Sequence, residues 1–191
     1  MEKTLTREAA WALLCEFTAT PALRKHALQV EAAMRHFAVL YGEDADVWGN
    51  ADLLHDFDYE KFPEEHCTKA AEIMQERGIS DFYIHAVCSH AYGLCSDVKP
   101  ERNLEKVLYT IDELTGLINA LCLMRPSKSV LDLEVKSVKK KFKDKSFAAS
   151  VNREIIKNGC EMLGKPLDDV IKETIASMQE YAEAIGLKGN L

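Results

Sequence analysis

TPALRKHALQVEAAMRHFAVLYG, residues 20–42, carries the clearest structural signal in the chain. Thr20 followed by Pro21 reads as an N-cap with proline at the first helical position, and Gly42 supplies a stop. Between them Leu23, His26, Val30, Ala33, Phe37 and Leu40 recur at helical spacing, so they line one face of a helix running to about Tyr41. A histidine, His26, therefore shares the apolar face. Glycines and prolines punctuate the same period along the rest of the chain, and no strand-like alternation persists.

Working outward, a first helix is predicted from Thr6 and a third from Asp46 to Phe57, closing at His55-Asp56. A loop from Asp58 to Pro63 leads to a helix from Glu64 to Arg77, opening near His66 and stopped by Gly78. The next begins near Ser80 and carries His85 and His90 before a loop from Gly93 to Pro100. Further helices are predicted at Leu104 to Met124, Leu131 to Phe142, Lys145 to Cys160 and Leu167 to Ile185. There is no internal repeat or interdomain linker. The expectation is an all-α, single compact helical domain over residues 1–191 with about eight to nine helices. Its core would span about 20–125, with helices at about 130–186 packing on it.

Composition agrees with a folded globular chain: 191 residues, 47% hydrophobic and 29% charged. A formal net charge of −7 argues against broad binding to nucleic acid or anionic membrane. No uninterrupted apolar run approaches the roughly 20 residues of a bilayer span. The start, MEKTLTREAAWALLCEF, lacks the order of a secretory signal. The six cysteines form no C-x-x-C pair, so reduced, mostly buried thiols in a cytoplasmic protein are expected. The sharper alternative is a zinc cluster from Cys88, His90 and Cys95, a spacing that matches no common zinc module.

Chemistry enters with His26, the adjacent pair His55-Asp56, and Asp112. Each lies on or at the end of a predicted helix, and divalent metals take imidazole and carboxylate ligands that converge from separate helices. Alone, a histidine on an apolar face reads as a hydrogen-bonded core residue. The ordered set reads as a metal site.

That order, H…HD…D, resembles the HD superfamily of metal-dependent phosphohydrolases, and in particular a bacterial HD-domain hydrolase subgroup. The likeness is carried by KHALQVEAAMRHFA around His26, ADLLHDFDYEKFPEEH around His55-Asp56 and TIDELTGLI around Asp112. SVKKKFKDKSFAASVNREII extends it toward the C-terminus, so that it covers about Ala22 to Gly186. The resemblance implies that His26, His55, Asp56 and Asp112 ligate a divalent ion (manganese, iron, cobalt, nickel, zinc or magnesium). In members with two ions the HD aspartate bridges them, and His66 and His90 match the ligands of the second. One ion or two remain open at this stage. His85 is five residues from His90, about 140° around an ideal helix, so the two are not expected on one ion. The Gly-Tyr-Pro signature of cyclic-dinucleotide phosphodiesterases is missing around Tyr92-Gly93.

The implied activity is hydrolysis of a small phosphomonoester, such as a nucleotide, by a metal-activated water oriented by Asp56. Tyr59 stands where some nucleotidase relatives carry a glutamate; Asp58, Glu64 and Glu65 are the nearby substitutes as acid or base, with a solvated loop as the alternative for all three. Lys61, and then Arg24 and Lys25 beside His26, are the candidate phosphate-binding cations, with an ordinary surface charge as the alternative for each. The basic run Lys136 to Lys145 reads as a solvated helix face, with a lid for an anionic substrate as the alternative. Thr115 and Asn119 are candidate donors to Asp112, and Gly116 a point of close approach. Two rival classes remain: a di-iron HD-fold oxygenase, for which His66 and His90 would supply extra ligands, and a non-catalytic ligand-binding regulatory module on the same scaffold.

Overall fold

The helix quoted above forms as α2 (Pro21–Tyr41), stopped by Gly42 in the left-handed region at φ 69°, whose N–H reaches the Ala38 and Val39 carbonyls. The computed structural model describes residues 5–191, and among them it is all-α: nine α-helices, one 3-10 turn and a single isolated bridge between Tyr92 and Ser96. Two compact units meet in the sequence between Tyr109 and Thr110.

In the first unit α1 (Arg7–Phe17), α2, α3 (Ala45–Asp52), the 3-10 turn Pro63–Glu65, α4 (Thr68–Glu76) and α5 (Asp81–Ser89) precede the opening turns of α6 (Asn103–Met124). The buried face of α2 is wider than the predicted stripe and shifted from it. Leu40 is exposed, while Gln29, Glu31 and Met34 are buried with Val30, Ala33 and Phe37. The shift has an electrostatic cause: the Glu31 carboxylate takes Arg7 Nε at 2.7 Å from α1 and Arg35 Nε at 2.9 Å from its own helix. Arg35 also reaches Asp46 Oδ1 at 2.7 Å and passes over Gly49, where a Cβ would stand 2.7 Å from Arg35 Nε. Glycine in α3 thus lets α2 and α3 pack closely. Phe17 at the end of α1 and Phe57 meet edge to face, centroids 5.4 Å apart.

α3 begins on Asp44, whose carboxylate accepts from Asp46 N and Val47 N. It ends at Asp52, earlier than predicted. Leu54 N and His55 N bond three residues back, to Ala51 and Asp52, so the helix tightens into turns before His55. α4 likewise starts at Thr68, with the 3-10 turn and His66 ahead of it.

The second unit holds the remainder of α6, then α7 (Val135–Lys143), α8 (Arg153–Leu163) and α9 (Leu167–Glu180). Ile111, Leu114, Ile118, Val138, Ile156, Ile171 and Met178 are buried there. The helix predicted from Lys145 starts eight residues later. Arg153 accounts for the delay: its guanidinium donates to the carbonyls of Asp144, Phe147, Ala148 and Val151, which holds 144–151 as turns. Asn152 then caps α8 by accepting from Glu154 N and Ile155 N. The basic run is matched by acids, with Lys139 on Asp168 at 2.7 Å and Lys141 on Asp144 at 3.0 Å.

By length and composition α6 does pass the test for a membrane span, with a mean hydropathy of 1.4. That differs from the reading by uninterrupted runs. However, 61% of that window is buried inside the protein, and Asp112 and Glu113 lie mid-helix, where lipid would penalise them.

Candidate metal centre

Asp56 is the hub of the first unit's polar interior. Its Oδ2 lies 3.3 Å from His55 Nε2, and its Oδ1 lies 3.2 Å from His66 Nε2 and 3.3 Å from His90 Nε2. The His66 and His90 Nε2 atoms are themselves 3.3 Å apart. Four imidazoles follow one another as His26, His55, His90 and His66, with successive ring centroids 5.4, 5.1 and 5.2 Å apart. A donor nitrogen of half-buried His26 lies within 4.8 Å of one on His55.

Each of three rings is fixed from behind. His55 Nδ1 lies 2.8 Å from the Asp52 carbonyl and 3.2 Å from Asp52 Oδ1. His66 Nδ1 lies 2.8 Å from Asp58 Oδ1, and His90, the residue closing α5, turns its Nδ1 to the Val87 carbonyl. An acceptor behind every Nδ1 keeps the proton there and aims Nε2 at Asp56, which is how metal-ligating histidines are usually oriented.

Asp58 is fully buried rather than solvated. While its Oδ1 holds His66, its Oδ2 accepts from Cys67 N and Ala70 N, both at 3.0 Å, and so caps α4 from the loop ahead of it. Both Asp58 oxygens are engaged, one on His66 and the other on the amides that open α4, an arrangement that positions His66. Tyr59, half exposed, sets its ring edge-on against His66 at 5.5 Å.

Burial alone would push the Asp56 carboxyl up, but His55, His66 and His90 outweigh it and hold it well below the usual carboxylate range. Burial also opposes a charged His66, yet its bonds to Asp56 and Asp58 push its pKa up to about 12. A cation held by Asp56 and His66 Nε2 would have to displace the proton that this raised pKa keeps on the ring.

The donor set fits a divalent metal. Metal–nitrogen bonds of about 2.0–2.1 Å imply ligand–ligand edges of about 3.3 Å around a tetrahedral ion. The triangle of Asp56 Oδ1, His66 Nε2 and His90 Nε2 has edges of 3.2, 3.3 and 3.3 Å. This cluster can bind a metal ion.

Arg24, Lys61 and His85 are bound to other partners. Arg24 donates to the Thr18 and Cys15 carbonyls and Lys61 to the Glu16 carbonyl, the Lys61 ammonium lying over the Phe17 ring. Both cations thus sit at the C-terminal end of α1, where a helix end attracts positive charge. His85 is bound to Glu105 Oε1 at 2.8 Å. Asp112 lies half-buried on α6 in the second unit. There Thr115 Oγ1 donates to the Asp112 carbonyl rather than its carboxylate, and a Cβ on Gly116 would meet only Val151 at 3.9 Å. Cavities of 290 Å³ (Leu5, Leu13, Arg77, Ile79) and 360 Å³ (Lys145, Asn152, Arg153) are lined by different residues.

Sequence reasoning missed Cys67. The expected thiols stand differently: Cys88 Sγ donates to the Cys67 carbonyl at 3.6 Å, and Cys95 Sγ lies 3.9 Å from Cys67 Sγ. Burial pushes the Cys88 thiol up to about 12 and the Cys95 thiol up to about 11. Donor atoms of His66, Cys67 and His90 lie within 4.8 Å of one another. Adjacent His66 and Cys67 share this cluster through a sharp backbone kink that no motif in the sequence announces. Comparison with protein families, curated proteins and solved structures found no match for this chain.

Proposed function

We propose that this protein is a metal-dependent phosphohydrolase of the HD superfamily that hydrolyses a small phosphomonoester. The carrying observation is Asp56, one carboxylate with an oxygen turned to His55 and the other shared by His66 and His90. A carboxylate so placed suits a bridge between two ions. His26 and His55 would hold one with Asp56, His66 and His90 the other. Asp112, the last residue of the H…HD…D order, would join the first. Such an ion lowers the pKa of a coordinated water and polarises a phosphoryl oxygen.

The chain's own residues supply position and charge. Asp52 fixes His55, Asp58 fixes His66, and the Val87 carbonyl fixes His90, so the ligands need little reorganisation. Asp56 remains ionised through neutral pH and orients the nucleophile. With Arg24 and Lys61 committed to α1, the phosphoryl charge is met at the metal centre itself.

The test is phosphate release from a panel of phosphomonoesters, nucleoside monophosphates included, with added manganese, cobalt, zinc or magnesium. Turnover by the unsubstituted chain and its loss in Asp56→Ala are expected. Two bound irons with oxygen-dependent turnover and no phosphate release would place the protein among oxygenases instead. Metal binding with neither activity would leave a ligand-binding module.

A further inference from the structure

Cys67 is 3% exposed and has a backbone of φ 66° and ψ −41°, a combination that side-chain-bearing residues rarely adopt. It is held there from both sides. The Cys67 N–H donates to Asp58 Oδ2 at 3.0 Å, while its carbonyl accepts from Ala71 N at 3.0 Å and from the Cys88 thiol at 3.6 Å. Neighbouring side chains diverge by about 100° on a helix and point oppositely on a strand. The kink overrides that divergence and brings His66 and Cys67 into one group with His90, donor atoms within 4.8 Å.

We infer that the Cys67 thiolate is a ligand of the ion held by His66, His90 and Asp56, which makes this position selective for a thiophilic divalent cation of the zinc type. The inference rests on the metal-centre reading above and deepens it. Two imidazole nitrogens, a carboxylate oxygen and a thiolate sulfur complete a four-ligand set from the first unit, the number that closes a tetrahedral zinc site. Magnesium and calcium prefer all-oxygen surroundings, so a sulfur donor disfavours them. Binding removes the thiol proton to solvent, and the sulfur lone pair forms the metal bond with no oxidation. A closed set here would leave the open coordination position to the ion beside His26 and His55.

Cobalt reports on this directly, because thiolate ligation adds a near-ultraviolet charge-transfer band to the visible bands of a histidine–carboxylate site. The full chain, stripped with chelator and titrated with Co²⁺, is expected to show both. Cys88→Ser and Cys95→Ser should keep the near-ultraviolet band. Cys67→Ser should lose it while retaining visible absorption, and should weaken Zn²⁺ binding by more than the roughly 10–100-fold that loss of an outer partner costs. A measurement on the unsubstituted chain guards against misfolding of that variant: Zn²⁺ should protect Cys67 from alkylation, as located by peptide mass. Visible bands without the near-ultraviolet band, or a band that survives Cys67→Ser, would overturn the inference and leave the metal centre standing. Failure of the unsubstituted chain to take up either ion would remove both.

Discussion

Replacing Asp58 by asparagine separates positioning from chemistry. The carboxylate receives His66 Nδ1 at 2.8 Å and the Cys67 and Ala70 amides at 3.0 Å, with no exposure to solvent. An asparagine has one acceptor oxygen, so it can keep the α4 cap or the His66 contact but not both. If the oxygen stays on the cap, the new NH2 faces His66 Nδ1 and forces it to accept. The ring proton then moves to Nε2, the atom aimed at Asp56. Hydrogen bonds to a charged group contribute about 1.5–3 kcal/mol each and neutral ones about half that, so a net loss of about 2–4 kcal/mol is expected. For a chain of this size that corresponds to a fall of roughly 5–15 °C in Tm. Metal affinity should fall by about 10–100-fold, as when a ligand loses its outer partner. Calorimetric metal titration of chelator-stripped protein, with a thermal melt and turnover against metal concentration, reads all three. At saturating metal kcat should return to within about threefold, since the effect is on ligand orientation. Unchanged metal affinity would refute the positioning role. Turnover that stays abolished at saturating metal would return Asp58 to the reacting groups.

Other consequences concern the scaffold. Gly159→Ala would place a Cβ 2.0 Å from Thr110 Oγ1 and should destabilise by about 1–3 kcal/mol in urea unfolding. Gly116→Ala has Val151 at 3.9 Å as its near neighbour and should instead be neutral or stabilise by about 0.5–1 kcal/mol. Glu31→Ala leaves the Arg35 guanidinium without its buried partner and should cost about 3–5 kcal/mol by the same assay. Asp144 is held down to about 2 by Ser146 and Lys141. Its folded pKa lies below its unfolded one, so its contribution is complete above the ordinary aspartate range and is lost as pH falls through about 2. Carboxyl NMR should place its midpoint there, whereas an ordinary aspartate midpoint would contradict the bonds from Ser146 and Lys141.

Helical period and stop signals made the all-α class and the course of α2 legible, because an apolar face and a C-terminal glycine are local properties. Where the structure departs from the helical period, a side chain has bonded outside that period. Arg153 gathers four carbonyls and delays α8, and Glu31 is buried because Arg7 arrives from another helix. In the site, His55, Asp56, His66 and His90 were readable as donor types in a known order. Asp58 was read as a loop acid because its burial depends on amides of α4, and Cys67 passed unnoticed because a single unusual φ brings it to the histidines.

The central claim is that Asp56 anchors a metal centre, and elemental analysis of protein purified without added metal tests it most directly. At least one equivalent of a transition metal in the unsubstituted chain, lost in a folded Asp56→Ala variant, is the result this account predicts. Full metal content in that variant, or none in the unsubstituted chain even after incubation with zinc, manganese or iron, would contradict it.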